Sequence, residues 1–563
     1  MLLFGLMAAR LVVLQIFEGP AYAKLAAEQQ QKQVTFAARR GGIFDRSGEP
    51  LAISVDLQTV FVDPAFVEDP VAEAREIAPL LDMPVREIQA KLIGSTPDDR
   101  FEYLARQVEP KLARKIEALE LPGIYMQEEP KRFYPGGRLA SHVLGFVDVD
   151  GKGLEGIEAQ YDDILEGKPG YLVVEQDPTG ELVKELSEEP AEPGRSLFLT
   201  IDKEIQYFTQ LTLADAARRF HAESGTAIVM RPHTGEILAM ANVPDFDPNK
   251  AGEFETLERR NRAVTDVYEP GSAYKVVALS GALEEGVVTP HTSFGVPDSF
   301  AYSDRVFHDS HPHAPMRMTV TEIIEQSSNV GTIQIGLKLG EARLDRYVRK
   351  FGFGSETGLD FPGESPGIVL ARKDWTGPTV ATVPIGQGIA VTPLQMAAAY
   401  STIANGGVWV EPKLLSGSMT GSGRVRPSTP PATRRVVSGA TAAKVSRILK
   451  GVAEVGTGIE AQIPGYAVAG KTGTAQKPLE TGGYGNSYVA SFAGFAPVTR
   501  PAVVVLVVLD NPSPIWGGST AAPTFKTIME FTLRHLGVSP TSNAQRSAEE
   551  IRDEQAQDTA TYD

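Results

Sequence analysis

A chain of 563 residues is too long for one hydrophobic core and divides into two or three domains. Its 71 acidic residues against 54 basic ones give a net charge of −17, which argues against a nucleic-acid partner. Cysteine is absent, so disulfides, thiolate catalysis and cysteine-ligated zinc are excluded.

Leu2 to Phe17 is apolar except for Arg10 and Gln15. That run is shorter than the ~20 residues a membrane-spanning helix needs, and no basic flank precedes it. Ala21-Tyr22-Ala23 also suits signal peptidase. The preferred reading of residues 1–22 is the C-terminal part of a transmembrane anchor, with the rest of the chain outside the cytoplasm. Ala23 to Gln33 is polar and helix-prone. Arg39 to Ala52 reads as strand, turn, strand, with Asp45 and Arg46 forming an ion-paired hairpin rather than a catalytic pair. Residues 66–120 carry a helical period. Gly-rich turns follow at 133–138, 144–148 and 153–158, suited to an extended mixed module. The acidic, Pro-containing stretch Glu181 to Gly194 reads as an exposed hairpin or linker and ends a first domain, 23–194.

The second domain, 195–538, opens with a strand at Ser196–Asp202 and a helix from about Lys203 to Phe220. Thr226–Met230 and Glu236–Ala241 form a hairpin, and helices are expected to dominate from Ser272 to Asn405. Within them, Thr319 and Glu322 make a capping box, and Thr392-Pro393 starts a helix that stops at Asn405-Gly406-Gly407. Strands at Tyr466–Gln476, Ser487–Ala496 and Ala502–Asp510 precede a helix from Pro523 to Leu536. This order implies an α+β fold, an antiparallel sheet with a helical insertion. From Ser539 the chain is polar, acidic and poor in aromatics, and reads as a disordered tail.

Chemistry concentrates at Glu269-Pro270-Gly271-Ser272-Ala273-Tyr274-Lys275. Pro and Gly break the chain before a helical pattern, and residues three apart share a helix face. The Ser272 hydroxyl and Lys275 amine can therefore meet. Serine is a weak nucleophile until a base removes its proton, and lysine is such a base only when burial or positive potential depresses its pKa. By itself this tetrad is unspecific. Two others follow in order: Ser327-Ser328-Asn329 at a helix–helix junction, and Lys471-Thr472-Gly473-Thr474 in a strand, whose alternation puts Lys471 and Gly473 on one face and Thr472 and Thr474 on the other.

The three motifs, with Arg40–Ala52, Gly153–Glu158, Tyr268–Ser272, Ile385-Gly386-Gln387-Gly388 and Gly470–Gln476, resemble class B penicillin-binding proteins over nearly the whole chain. Ser327-Ser328-Asn329 and the Lys-Thr-Gly-Thr run are similar to the cell-division branch, the penicillin-binding protein 3 type. The end of the N-terminal run also resembles that family's anchor helix. Ala273-Tyr274 departs from the usual Thr-Phe or Thr-Val, a change expected to tune packing.

The resemblance implies a membrane-anchored D,D-transpeptidase behind an N-terminal pedestal, with no cofactor or metal. Ser272 then attacks the penultimate D-Ala carbonyl of a stem pentapeptide, and Lys275 takes its proton. Ser327 relays a proton among Lys275, Lys471 and the leaving amine, and Asn329 positions substrate and Lys275. Lys471 adds positive charge, and Thr472, Gly473 and Thr474 bind substrate. The Ser272 and Thr474 N–H groups form the oxyanion hole. A neighbouring stem peptide accepts the acyl group, β-lactams trap Ser272, and partners include a membrane SEDS-type glycosyltransferase and other divisome proteins.

Other readings compete. Gly465 to Thr472 fits the P-loop pattern completely, although Gly473 and Pro478 argue against the helix that must follow. His308, His311 and His313 with Asp309 suggest a metal site, against which Pro312 and the short spacing favour an exposed loop. A scaffold that activates a glycosyltransferase, with catalysis secondary, is a further alternative. The pedestal argues against a simple β-lactamase.

Overall fold

The computed structural model describes residues 2–19, 31–96, 99–176, 182–421, 423–479 and 482–541. The expected tail from 542 and most of the expected helix at 23–33 lie outside them. Helix α1 (Leu2–Val12) continues into a π turn at Val13–Phe17. No helix among the described residues is long and apolar enough to cross a membrane.

The pedestal follows. Gln31–Gln33, expected to be helical, belong to strand β1 (Gln31–Phe36). Strand β2 (Ile43–Phe44) turns into β3 (Pro50–Val62), as expected. The turn does not hold the ion pair anticipated for it. The buried Asp45 carboxylate accepts from the N–H groups of Ser47 and Glu49, while Arg46 lies 3.8 Å from Glu236 in the next module. Helices α2 (Pro70–Leu81) and α3 (Val85–Ile93) form in the expected stretch, the first capped by Asp69 with Pro70 at N1. Between them and α4 (Pro110–Glu117) the helical reading is wrong, because Glu102–Val108 is strand β4. Pairing with β3 overrides its helix-like composition, and Leu104 packs with Val60, Val62, Ile77 and Ile116.

Strand β5 (Ile124–Phe133) runs antiparallel along β3. The Gly-rich segments after it are drawn together by a buried ion cluster. Glu158 is fully buried and accepts from Arg40 Nε and Arg132 Nε, each at 2.6 Å, while Arg40 Nη1 reaches Asp162 at 2.6 Å. Strand β6 (Gly170–Gln176) pairs with β1 on one side and with β7 (Leu182–Glu189) on the other, so the acidic stretch is a hairpin strand.

The second module begins with β8 (Leu197–Leu199) and α5 (Lys203–Arg219), capped by Asp202. Strands β9 (Ser224–Met230) and β10 (Ile237–Val243) form the expected hairpin. Helix α6 (Lys275–Glu284) is buried along nearly its whole length. Helices do not dominate all that follows, because four short strands intervene: β11 (Ser293–Val296), β12 (Ser299–Tyr302), β13 (Arg305–His308) and β14 (Met316–Thr319). Each finds its partner only within this segment, β11 with β14 and β12 with β13, too briefly to leave a clear alternation in the sequence.

The expected capping box starts α7 (Val320–Glu325), and the expected junction leads into α8 (Asn329–Leu339). The helix expected after Thr392 is α9 (Pro393–Ala404), where Thr392 and Gln395 form a capping box that was not anticipated. After β15 (Val408–Val410), strand β16 (Leu415–Met419) pairs with β8, which lies parallel to β2. One sheet therefore runs from the pedestal into the second module.

Helix α10 (Gly439–Glu454) leads to the three expected strands, numbered here β17 (Ala469–Pro478), β18 (Tyr484–Ala496) and β19 (Val503–Asp510), and to α11 (Ala521–His535). The central antiparallel sheet has the order β10-β9-β19-β18-β17. Both faces are covered, which explains the unbroken apolar run of β19. Val503, Val505 and Val507 pack with Phe525 of α11 and Leu213 of α5, whereas Val504 and Leu506 face the other side, against α9. Strand β17 is left at the edge.

Candidate active site

The chain enters α6 through a tight 3-10 turn, Gly271–Tyr274, rather than a regular α-helix starting at Ser272. Gly271 takes φ +52°, a left-handed conformation that favours glycine, and a Cβ there would sit 3.2 Å from both Ala475 Cβ and Thr474 O. This close approach puts Ser272 beside the edge strand β17. One turn on, Lys275 is wholly buried. Its Nζ donates to Ser327 O at 2.5 Å, Asn329 Oδ1 at 2.9 Å and Ser327 Oγ at 3.3 Å. Ser327 lies at φ +62°, which ends α7 and turns its carbonyl and hydroxyl toward the amine. Ser328 Oγ accepts from Gly331 N and starts α8 with Asn329 as its first residue.

Strand β17 forms the opposite wall. Gly473 has no space for a side chain, since a Cβ would overlap Ser491 Oγ and lie 2.8 Å from Pro270 O. Thr472 and Thr474 face a groove of about 430 Å³ that they line with Ser272, Ser327, Asn329 and Trp516. Lys471 lies behind them, fully buried, as strand alternation requires. Its amine nevertheless returns to within 3.2 Å of Thr472 Oγ1 and 3.3 Å of Thr457 Oγ1. Thr474 Oγ1 accepts from Gly517 N at 3.0 Å, leaving the Thr474 hydroxyl proton free to donate.

Burial is the main electrostatic feature. It pushes the Lys275 amine well below the usual lysine range, the positive charge of Lys471 adds to this, and Asp309 opposes it. Burial also brings Lys471 down to about 7. Both shifts favour the neutral amine, the form in which a lysine can accept the serine proton. No hydrogen bond joins Ser272 Oγ to Lys275 Nζ among the described residues. Such contacts commonly tighten only when substrate is bound.

All eight residues singled out in the sequence, Ser272, Lys275, Ser327, Asn329, Lys471, Thr472, Gly473 and Thr474, thus meet around one groove. Thr457 and Gly517 had no sequence signal, because they join the site only through folding. The P-loop pattern fails. Lys471 lies inside a strand that continues to Pro478, so no helix N-terminus follows to cradle phosphate. His308 and His311 are exposed, and no metal-holding group of three or more His, Cys, Asp or Glu occurs among the described residues. A larger cavity of about 580 Å³ adjoins the groove past Glu269, but Ser272 and Lys275 do not line it.

The family described as penicillin binding protein transpeptidase domain matches residues 225–530, and that described as penicillin-binding protein dimerisation domain matches residues 35–199. The chain belongs to the penicillin-binding protein transpeptidases. This penicillin-binding protein is 34% identical to peptidoglycan D,D-transpeptidase FtsI of Escherichia coli over 96% of its own length and 91% of the relative's. It is 33% identical to stage V sporulation protein D of Bacillus subtilis over 96% and 86% of the two chains. Penicillin-binding protein 3 of Mycobacterium tuberculosis, solved in complex with aztreonam, superposes with a TM-score of 0.72 at 31% identity, covering 90% of this chain and 98% of that one.

Proposed function

We propose that this protein is a septal peptidoglycan D,D-transpeptidase working through a Ser272 acyl-enzyme. The observation that carries the reading is the buried Lys275 amine, one turn after Ser272 and hydrogen-bonded to both Ser327 and Asn329. Relatives named as D,D-transpeptidases and a neighbour solved with a β-lactam support the same chemistry.

In the proposed reaction Ser272 Oγ bonds to the penultimate D-Ala carbonyl carbon as its proton passes to Lys275 Nζ. The N–H groups of Ser272 and Thr474 receive the oxyanion, an interaction worth ~3 kcal/mol per donor in comparable sites. The C–N bond then breaks, and Ser327 Oγ hands a proton from Lys275 to the departing amine of the terminal D-Ala. Thr472 and Thr474 hydroxyls hold the substrate carboxylate beside Lys471. An amine of a neighbouring stem peptide attacks the ester and restores Ser272. A β-lactam follows the first half of this path, but its leaving amine stays tethered and the ester persists. The pedestal is assigned to contact with a membrane glycosyltransferase and other division proteins, and the apolar run around α1 to membrane attachment, with catalysis outside the cytoplasm.

Intact mass of the full chain after benzylpenicillin treatment tests the nucleophile. One intact penicillin on the parent and none on a folded Ser272→Ala variant is the expected result. Rapid turnover without a lasting adduct would instead indicate a hydrolase, and a folded parent that never reacts would favour a scaffold.

A further inference from the structure

The loop that resembled a metal site has a different arrangement of bonds. Asp309 is nearly buried, its side chain 8% exposed. Its Oδ1 accepts from Asn329 N at 2.5 Å and Val330 N at 2.9 Å, the first two amides of α8, which the helix cannot satisfy itself. The adjacent His308 carbonyl accepts from Asn329 Nδ2 at 3.1 Å. Asn329 is therefore gripped at its backbone and at its side chain by one short segment. That grip leaves Asn329 Oδ1 facing Lys275 Nζ at 2.9 Å.

Asp309 is itself held. Its Oδ2 meets His313 Nε2 at 3.0 Å, while His313 Nδ1 faces Ala314 O at 2.9 Å and His313 N donates to Asp298 Oδ1 at 3.1 Å. With an acceptor at each ring nitrogen, the protonated imidazole satisfies both. The charged groups around this cluster are Lys275 from α6, Lys471 from β17, and Asp298, Asp309 and His313 from the loop segment. Asp309 is the carboxylate whose charge favours the protonated form of Lys275.

We propose that Asp309 is a positioning residue for acyl transfer, fixing Asn329 and through it the Lys275 amine, with His313 locking Asp309 in place. The inference rests on the acyl-transfer reading above. Asp309 touches no reacting atom and works through Asn329. Its negative charge also opposes the effect of the buried Lys471 on Lys275.

Two substitutions separate the geometric and electrostatic roles. Asp309→Asn keeps an oxygen for the two amides but removes the charge, whereas Asp309→Ala removes both. The measurement is the second-order rate of acylation of the full chain by a fluorescent penicillin across pH, with a melting curve for each variant. Asp309→Asn is expected to retain most of the plateau rate with its acid limb moved to lower pH, because loss of a negative charge disfavours protonated Lys275. Asp309→Ala is expected to acylate roughly 10²-fold more slowly even where it is fully folded, the cost of displacing a catalytic group by about 1 Å. His313→Ala should lie between them. An unmoved limb in Asp309→Asn, or rate losses that only track the unfolded fraction, overturns the proposal. A parent that fails to acylate overturns the acyl-transfer reading itself, so the two failures are distinct.

Discussion

Gly386 lies outside the three motifs yet controls the turn that carries the nucleophile. It takes φ +74°, and its carbonyl accepts from Gly271 N at 3.1 Å. A Cβ there would overlap Gly271 O and lie 2.7 Å from Gly271 N and 2.8 Å from Tyr274 Cβ. Gly386→Ala therefore costs ~1–2 kcal/mol for a left-handed non-glycine residue. It adds ~1–3 kcal/mol for overpacking against backbone that cannot swing aside. Gly388 is the natural control. It has a similar φ of +68°, but a Cβ there would meet only the Thr382 side chain, Oγ1 at 3.3 Å and Cβ at 4.0 Å. Gly388→Ala should show the backbone cost alone. Thermal unfolding should then place Gly386→Ala below Gly388→Ala by about 1–3 kcal/mol. Acylation by a fluorescent penicillin should be roughly 10²-fold slower in Gly386→Ala, since the Gly271–Tyr274 turn must shift. Equal stability loss in the two variants, with Gly386→Ala acylating at the parent rate, would refute this account of the turn.

Lys471→Met removes a buried positive charge that disfavours protonated Lys275. Lys275 then binds its proton more readily, so the acid limb of acylation should move to higher pH, opposite to Asp309→Asn. At neutral pH the rate should drop, and it should partly recover on raising pH; a limb that stays or moves down would be contrary to the proposed coupling. In the pedestal, Glu158→Ala would leave Arg40 and Arg132 buried without their shared carboxylate. The expected loss is about 3–5 kcal/mol, read by calorimetry, and a loss under ~1 kcal/mol would show that the cluster is not the clamp it resembles.

Much of the site was legible because its signals are local. Pro270-Gly271 before an apolar run, serine and asparagine between two helices, and a lysine in an alternating strand each obey rules that act within a few residues. Motif order then linked segments that sequence spacing alone could not bring together. The errors share the opposite cause. Glu102–Val108 has a helix-like composition, but β3 offers it a pairing edge. Residues 293–319 form strands too short to be read without their partners. Asp309 looked like a possible metal ligand because its neighbours are histidines. Its contact with Asn329 spans 20 residues and has no periodic signature.

The sequence by itself determined the opening strand, helix and hairpin of the second module, its closing strands and helix, the three motifs and the residue types that could perform acyl transfer. Tertiary structure decided which of those groups could act. Burial lowers the proton affinity of Lys275 and Lys471, and burial belongs to the packed chain rather than to any segment of it. It also decided that β17 could come against the nucleophile turn, because Gly386 and Gly473 leave room for backbone where a single methyl group would collide, and Gly271 where one would be crowded.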